Sequence, residues 1–261
     1  MDKNYYNDQY FNSEIFDFDY VPIAEAIMRQ YAPASIIEFG CGNGELTKAL
    51  SKKGASITAI DGYAHPNFNN HDNISFFKID LNNSVVLKKF LATQNQKFDV
   101  AICMEVAEHL NPDVTESLID SLTSSADVVI FSAAIPGQGG EGHINCRNRV
   151  FWHIEFEKRN FLIKDTIRSQ IRDELKVARW YALNIVDYVK SLTEPCIEDY
   201  RNVVRNLVDS ESAATSHFYI ANRKLEYKNQ LLKMDLIWIA YKCRNIIKRF
   251  FRKQINTFDK Y

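Results

Sequence analysis

Long apolar runs are missing from this sequence. The longest in its last third, Leu236 to Tyr241, spans six residues, whereas a helix needs about twenty to cross a bilayer. Paired cysteines are missing too. Cys41, Cys103, Cys146, Cys196 and Cys243 are scattered, odd in number and without a C-x-x-C spacing. They read as reduced thiols, which excludes a disulfide framework and a zinc knuckle. Net charge is nearly absent: 32 Lys and Arg stand against 33 Asp and Glu, so no global field draws the chain to nucleic acid or membrane. The stretch Met1 to Glu14 is polar and lacks the apolar segment of a secretion signal. A cytoplasmic protein is the expectation.

A core, by contrast, is well supplied. Hydrophobic residues make up 46% of 261 positions, enough for one α/β domain with additions. Helical apolar spacing over Val21–Tyr31 stops before Pro33. Short apolar runs then alternate with helical stretches. Strands are predicted at Ser35–Phe39, Ser56–Ile60, Ile74–Ile79, Phe98–Cys103 and Asp127–Phe131. Helices are predicted at Glu45–Lys53, Ser84–Thr93, Pro112–Thr123 and Arg149–Asn160. A sixth strand is read from Phe161, and Tyr181–Lys190 reads equally as strand or helix. Runs this short and apolar suit parallel strands covered on both faces, and the alternation argues for an open, doubly wound sheet. Beyond Glu194 the pattern is mostly helical. The domains expected are an N-terminal segment over 1–33, a sheet domain over 34–192 and a helical extension over 193–261.

The strongest local signal is Glu38-Phe39-Gly40-Cys41-Gly42-Asn43-Gly44. It follows a predicted strand and opens a predicted helix, the setting in which glycines let the backbone turn and approach a ligand. A dinucleotide fingerprint would put its third glycine at position 45, which is Glu45, and a carboxylate there suits a pyrophosphate poorly. Strand two ends at Asp61-Gly62, where an acid can accept from both ribose hydroxyls. Strand three ends at Asp80-Leu81; Asp80 reads alternatively as the N-cap of the Ser84 helix. The glycine loop with an acid two residues before its first glycine resembles motif I of class I methyltransferases that use S-adenosylmethionine (SAM). The resemblance implies a Rossmann-like, mostly parallel seven-stranded sheet. It also implies a SAM site built from Glu38, Phe39, Gly40, Gly42, Gly44, Asp61, Gly62, Asp80 and Leu81, with Met104 and Glu105 at the end of strand four.

After strand four comes Glu105-Val106-Ala107-Glu108-His109. On a helical turn the two acids and the histidine would share one face. This E-x-x-E-H pattern resembles that of ubiquinone-pathway O-methyltransferases and small-RNA 2′-O-methyltransferases. In that resemblance Glu105, Glu108 and His109, joined by His143, hold a divalent cation such as Mg²⁺. A plain helix start with surface acids is the other reading. The loop Ser132–Asn145 carries Gly137, Gly139, Gly140 and Gly142 with Gln138, Glu141, His143 and Asn145. Its G-H-I-N segment resembles bacterial methyltransferases of cell-surface glycan pathways, over roughly residues 30 to 190, with Cys146 where relatives carry an acid. Phe151, Trp152, Trp180 and Tyr181 read as core or as stacking faces.

The expected chemistry is O-methylation of a sugar or glycan hydroxyl. His143 is the first choice of general base, His109 the second, with Glu108 beside them; a metal-bound histidine could not take the proton. A phenolic small molecule or an RNA ribose hydroxyl is the alternative acceptor, the near-neutral charge disfavouring RNA. A non-catalytic SAM-binding module is the alternative of another class. From Arg223 to Lys253, ten Lys/Arg face two Asp/Glu, and Leu232, Leu236, Ile239, Cys243, Ile246, Ile247 and Phe250 form one helical stripe. Such a helix suits a peripheral contact with an anionic membrane, or docking on its own domain or on a second copy of the chain.

Overall fold

The computed structural model describes Tyr10, residues 18–63, Pro66, Phe68, 71–95 and 97–192, then Asn202, Arg205, Asn206 and 208–216. The basic stripe between Arg223 and Lys253 lies outside the described residues. The chain divides into two compact units, Met1–Thr215 and Ser216–Tyr261, and every element below belongs to the first.

In chain order these are α1 (Val21–Tyr31), β1 (Ser35–Phe39), α2 (Glu45–Ser51), β2 (Ser56–Asp61), β3 (Ile74–Lys78), α3 (Ser84–Leu91), β4 (Val100–Met104), α4 (Thr115–Ser125), β5 (Val128–Ser132), α5 (Arg149–Glu157), β6 (Phe161–Ile163), α6 (Thr166–Ile171), α7 (Arg179–Asn184) and β7 (Val186–Lys190). The sheet has seven strands in the order β3-β2-β1-β4-β5-β7-β6. The first five strands pair in parallel, while β7 runs antiparallel between β5 and β6.

Both faces of the sheet are covered, which explains why β1, β4 and β5 are mostly apolar and buried along nearly their whole length. Ile36, Ile57, Val100, Ile102 and Ile130 point to one face and pack with Ile23 and Ile27 of α1, Leu46 and Leu50 of α2, Ile167 of α6 and Tyr181 of α7. Their neighbours Ile37, Ile60, Ala101, Cys103, Val129 and Phe131 point to the other, against Leu87 of α3, Leu118 and Leu122 of α4, and Trp152 and Phe156 of α5. One residue's slip along a strand would exchange these sets, so the register is strongly specified.

The stretch Tyr181–Lys190, ambiguous in sequence, holds both elements: the end of α7 and all of β7. Neither is long enough for its own periodicity to show. The N-cap of α3 is Asn83, whose side chain accepts from the Val86 amide, not Asp80. Winding reverses between β1 and β4, and in open α/β sheets ligands bind at the carboxyl ends of the strands flanking such a switch point. No helix among the described residues is long and apolar enough to span a membrane.

Candidate active site

The glycine loop leaves β1 at the switch point and is fastened to β2. The amides of Gly40 and Cys41 both donate to the Ile60 carbonyl, at 2.7 and 3.1 Å. The amide of Gly42 donates to Asp61 Oδ2 at 3.0 Å, and that of Tyr63 to Asp61 Oδ1 at 2.8 Å. Gly40 has φ +79°, and a Cβ there would lie 2.4 Å from Val106. The loops after β1 and β4 therefore touch at a spot that only glycine fits. At Gly62 a Cβ would lie 3.0 Å from the Asp80 Cα, which holds the ends of β2 and β3 together. Asp80 Oδ1 accepts from the Asn82 amide at 2.9 Å, and Leu81 is buried among Ile79 and Leu87.

Glu38 is buried beneath this loop and accepts a 2.5 Å hydrogen bond from Thr47 Oγ1 of α2. Burial pushes its carboxyl up to about 8, against the Thr47 hydrogen bond and with help from the Asp61 charge. The residues that the sequence marks on β1, β2 and β3 thus lie at the carboxyl ends of adjacent strands, as does Met104, buried at the tip of β4.

Beyond Met104 the chain does not continue as a helix. Glu105 takes φ +53°, an uncommon conformation for a side chain of its size. Its amide donates to the carbonyl and the Oγ of Ser132, at 3.0 and 3.1 Å. The 3-10 turn begins only at Ala107. Glu105 therefore does not share a helical face with Glu108 and His109. Its carboxylate is bound to Asn184 Nδ2 at 3.2 Å and Gln138 Nε2 at 3.1 Å.

Glu108, His109 and His143 do come together. One ligand-competent atom from each lies within 4.8 Å of the others, and the two imidazoles meet edge to face with centroids 4.8 Å apart. The loop is folded back to achieve this: the amides of Ile144 and Asn145 donate to the Glu108 carbonyl at 2.8 and 2.9 Å. Asn145 is buried, its Nδ2 donating to the Ala107 carbonyl and to Thr115 Oγ1. Gly140 makes room for His143, since a Cβ there would lie 2.3 Å from the ring.

Glu108 is fully buried, with Oε1 accepting from the Ala134 amide at 3.1 Å and Oε2 facing no donor except the Glu105 carboxyl, with which Glu108 shares a hydrogen bond. His143 Nδ1 is buried without a partner. Unsatisfied buried polar atoms cost about 1–3 kcal/mol each, a cost that a ligand would relieve. Desolvation, with the Glu105 charge added, holds the Glu108 carboxyl well above its usual range. Desolvation also holds both histidines down, His109 to about 4 with His143 contributing. Both imidazoles are therefore neutral near pH 7, the form that ligates a metal or accepts a proton. The oxygen of Glu108 and the two imidazole nitrogens suit a first-row divalent cation better than an oxygen-only ion.

Tyr10, Arg149 and Asn184, around this site, carry no sequence signal. Asn184, Gln138 and Arg149 form a hydrogen-bonded run behind Glu105. Tyr10 is near enough for the Glu108 charge, after burial, to raise its phenol. Cys146 is raised by burial and by both glutamates, which puts it beside the pair as well. Phe131, Phe151 and Trp152 pack together on the α5 side, and Trp180 and Tyr181 join Phe18 on the other. Among the described residues Cys41, Cys103 and Cys146 are free thiols.

The strand order, with five parallel strands and an antiparallel seventh strand, is that of a Rossmann-like methyltransferase fold, and the glycine loop and the acid on β2 lie at its switch point. Residues 19–133 match the family model described as "Methyltransferase domain". Among curated proteins, the ubiquinone biosynthesis O-methyltransferase of Glaesserella parasuis is 35% identical over 85 residues, covering 30% of this chain and 35% of that protein. The enzyme of the same name from Actinobacillus pleuropneumoniae serotype 7 is 34% identical over 107 residues, covering 38% and 45%. The chain thus matches less than half the length of these relatives. Among solved structures, magnesium protoporphyrin IX methyltransferase from Synechocystis PCC 6803 with bound S-adenosylhomocysteine aligns over 65% of this chain and 80% of that one, at 20% identity and TM-score 0.47.

Proposed function

We propose that the protein transfers a methyl group from SAM to a hydroxyl oxygen, and that a sugar or glycan intermediate carries that hydroxyl. The observation that carries this reading is the convergence of Glu108, His109 and His143, with unsatisfied buried atoms, on the crevice that the glycine loop borders. The residues present fit SAM. The glycine loop turns at the switch point against Val106, Asp61 puts a carboxylate at the tip of β2, and Glu45 stands where a pyrophosphate-binding glycine would be. SAM, when bound, supplies a methyl group already activated on a sulfonium.

The protein's own work is then alignment and proton removal. Asp61 and Asp80 hold the nucleoside, and Glu38 supports the loop from below. Met104 lies at the tip of β4 beside Glu105, whose carboxylate Asn184 and Gln138 hold. SAM held there would supply its methyl group to the acceptor oxygen and leave as S-adenosylhomocysteine, and a ring nitrogen of His143 would take the hydroxyl proton. His109 is the second candidate for that proton. Glu108, His109 and His143 also fit a divalent cation, with Glu105 turned aside to Asn184 and Gln138. Such an ion would supply Lewis acidity at the acceptor oxygen, and His143 would then be a ligand instead of a base.

The glycan reading rests on the G-H-I-N loop. A second acceptor class, the ring hydroxyl of a catechol-like compound, is favoured by the curated relatives, which are named as ubiquinone biosynthesis O-methyltransferases. Conversion of SAM to S-adenosylhomocysteine is to be followed with glycan and catechol acceptors, each with and without chelator. Turnover with glycans and not catechols is the expected result. Turnover with catechols alone would replace the acceptor, and failure to bind SAM at all would end the enzyme reading. Loss of turnover on chelation, restored by a divalent ion, assigns the cation role to the three residues.

A further inference from the structure

Arg149 is difficult to explain by stability. It opens α5 and is 5% exposed, yet no carboxylate among the described residues pairs with its guanidinium. That group donates instead to Ser210 Oγ at 2.7 Å, the Leu183 carbonyl at 2.5 Å and Asn184 Oδ1 at 3.2 Å, while Nε has no partner. Glu211 binds the Arg149 backbone amide at 2.6 Å, and its charge and that of Asp165 favour the cation without forming a direct ion pair. Burying a cation among neutral acceptors is costly, and apolar residues of similar volume often serve stability as well or better.

The hydrogen bonds beyond Arg149 all run in one direction. Asn184 accepts from the cation through Oδ1 and donates through Nδ2 to Glu105 Oε1 and to Gln138 Oε1, the latter at 2.7 Å. Gln138 in turn donates to Glu105 Oε2. Turning either amide over would set oxygen against carboxylate. The chain therefore has a cation at one end, a carboxylate at the other and only one self-consistent polarity. It draws on α5, α7, the glycine-rich loop and the helical residues 208–216.

We propose that Arg149, Asn184 and Gln138 are positioning residues that hold the Glu105 carboxylate at the tip of β4, and that Ser210 and Glu211 build the helical segment 208–216 into the active site through them. The proposal rests on the methyltransferase reading for what Glu105 serves, but its geometry is testable without turnover. A segment that lies far from β4 in sequence then contributes to the site by bracing it.

The decisive variant is Asn184→Asp in the full-length protein. It preserves shape and the acceptor for Arg149, but turns a carboxylate toward Glu105. Melting temperature should fall, and kcat should fall about tenfold or more, with KM for SAM changed less than threefold. Adding Glu105→Gln restores a donor to that contact and should return most of the lost melting temperature. Wild-type melting and kcat in Asn184→Asp would overturn the proposal. So would a loss that Glu105→Gln fails to recover, since the Asn184–Glu105 link would then not exist. Should neither Asp-bearing protein fold, Arg149→Met and Asn184→Leu are compared singly and together. A joint loss smaller than the two separate losses supports the chain, and strict additivity overturns it. Absent turnover in the wild type sinks the function assigned above, while the melting measurements still judge the chain.

Discussion

The two sides of the crevice are built by different means. On the β1–β2–β3 side, backbone does the work. Gly40, Cys41 and Gly42 hang on Ile60 and Asp61, and the residues involved lie within or just beyond consecutive strands. On the β4–β5 side, side chains do it. Glu108, His109 and His143 meet across more than thirty residues of chain, with Glu105 braced by Gln138 and Asn184. The first side is satisfied within the protein. The second keeps buried atoms unsatisfied at Glu108 and His143. A cofactor side of this kind reads as a fixed platform and the other as a site awaiting a ligand or a proton, so variants on the two sides should fail in different ways.

The sharpest break in that comparison is expected at His143. His143→Ala should lower methyl transfer about a hundredfold or more, the scale of a lost general base, and leave SAM affinity within a few-fold by calorimetry. Wild-type turnover would retire the base assignment, and a parallel loss of SAM affinity would erase the division between the sides. Asp61→Ala should do the reverse. Loss of charge-assisted hydrogen bonds costs about 1.5–3 kcal/mol, so SAM dissociation should rise by about tenfold to a hundredfold. Unchanged binding would move the nucleoside away from β2.

Gly140→Ala tests whether the loop is as built for its histidine as the glycine cradle is for its ligand. The residue has φ +134°, and its new methyl group would lie 2.3 Å from the His143 ring, so the ring must move. Turnover should fall about tenfold, since small misplacements are costly, with SAM affinity unchanged. Equal turnover would mean that His143 works equally well elsewhere.

The same division governs what the sequence discloses. The strands β1, β2 and β5 show as short apolar runs because burial on both faces leaves no alternation to misread. The SAM-side residues show because a glycine loop and the strand tips are contiguous motifs. Glu105 illustrates the opposite. Its spacing to Glu108 and His109 suggests one helical face, but the positive φ at Glu105 and its contact with Ser132 are set by tertiary structure. Arg149 and Asn184 escape notice for a related reason: single polar residues in unrelated elements have no spacing to detect, and Gln138 shows only as one polar group of the glycine-rich loop. His143 is found only because its loop resembles one seen elsewhere. The packing of α7 and β7 into twelve residues defeats periodicity by brevity alone.

The smallest effect separates platform from reactive side by stability rather than rate. Glu38 carries a carboxyl raised by burial to about 8, against about 4.3 for an exposed glutamate. Below the lower value both folded and unfolded chains hold the proton, and the stability tied to this group is complete. Between the two values only the folded chain holds it, so stability declines as pH rises, by at most about 1.4 kcal/mol per unit. Above the folded value the contribution is gone. Glu38→Gln has no proton to lose and still offers an oxygen to Thr47 Oγ1, which lies 2.5 Å from Glu38 Oε2. Thermal melts of the two proteins should therefore diverge from pH 5 to pH 8, the variant gaining several degrees at about 2–4 °C per kcal/mol for a domain of this size. A gap that stays constant with pH would show that Glu38 is ionised in the folded protein, and the platform would then keep an unspent charge beneath the glycine loop.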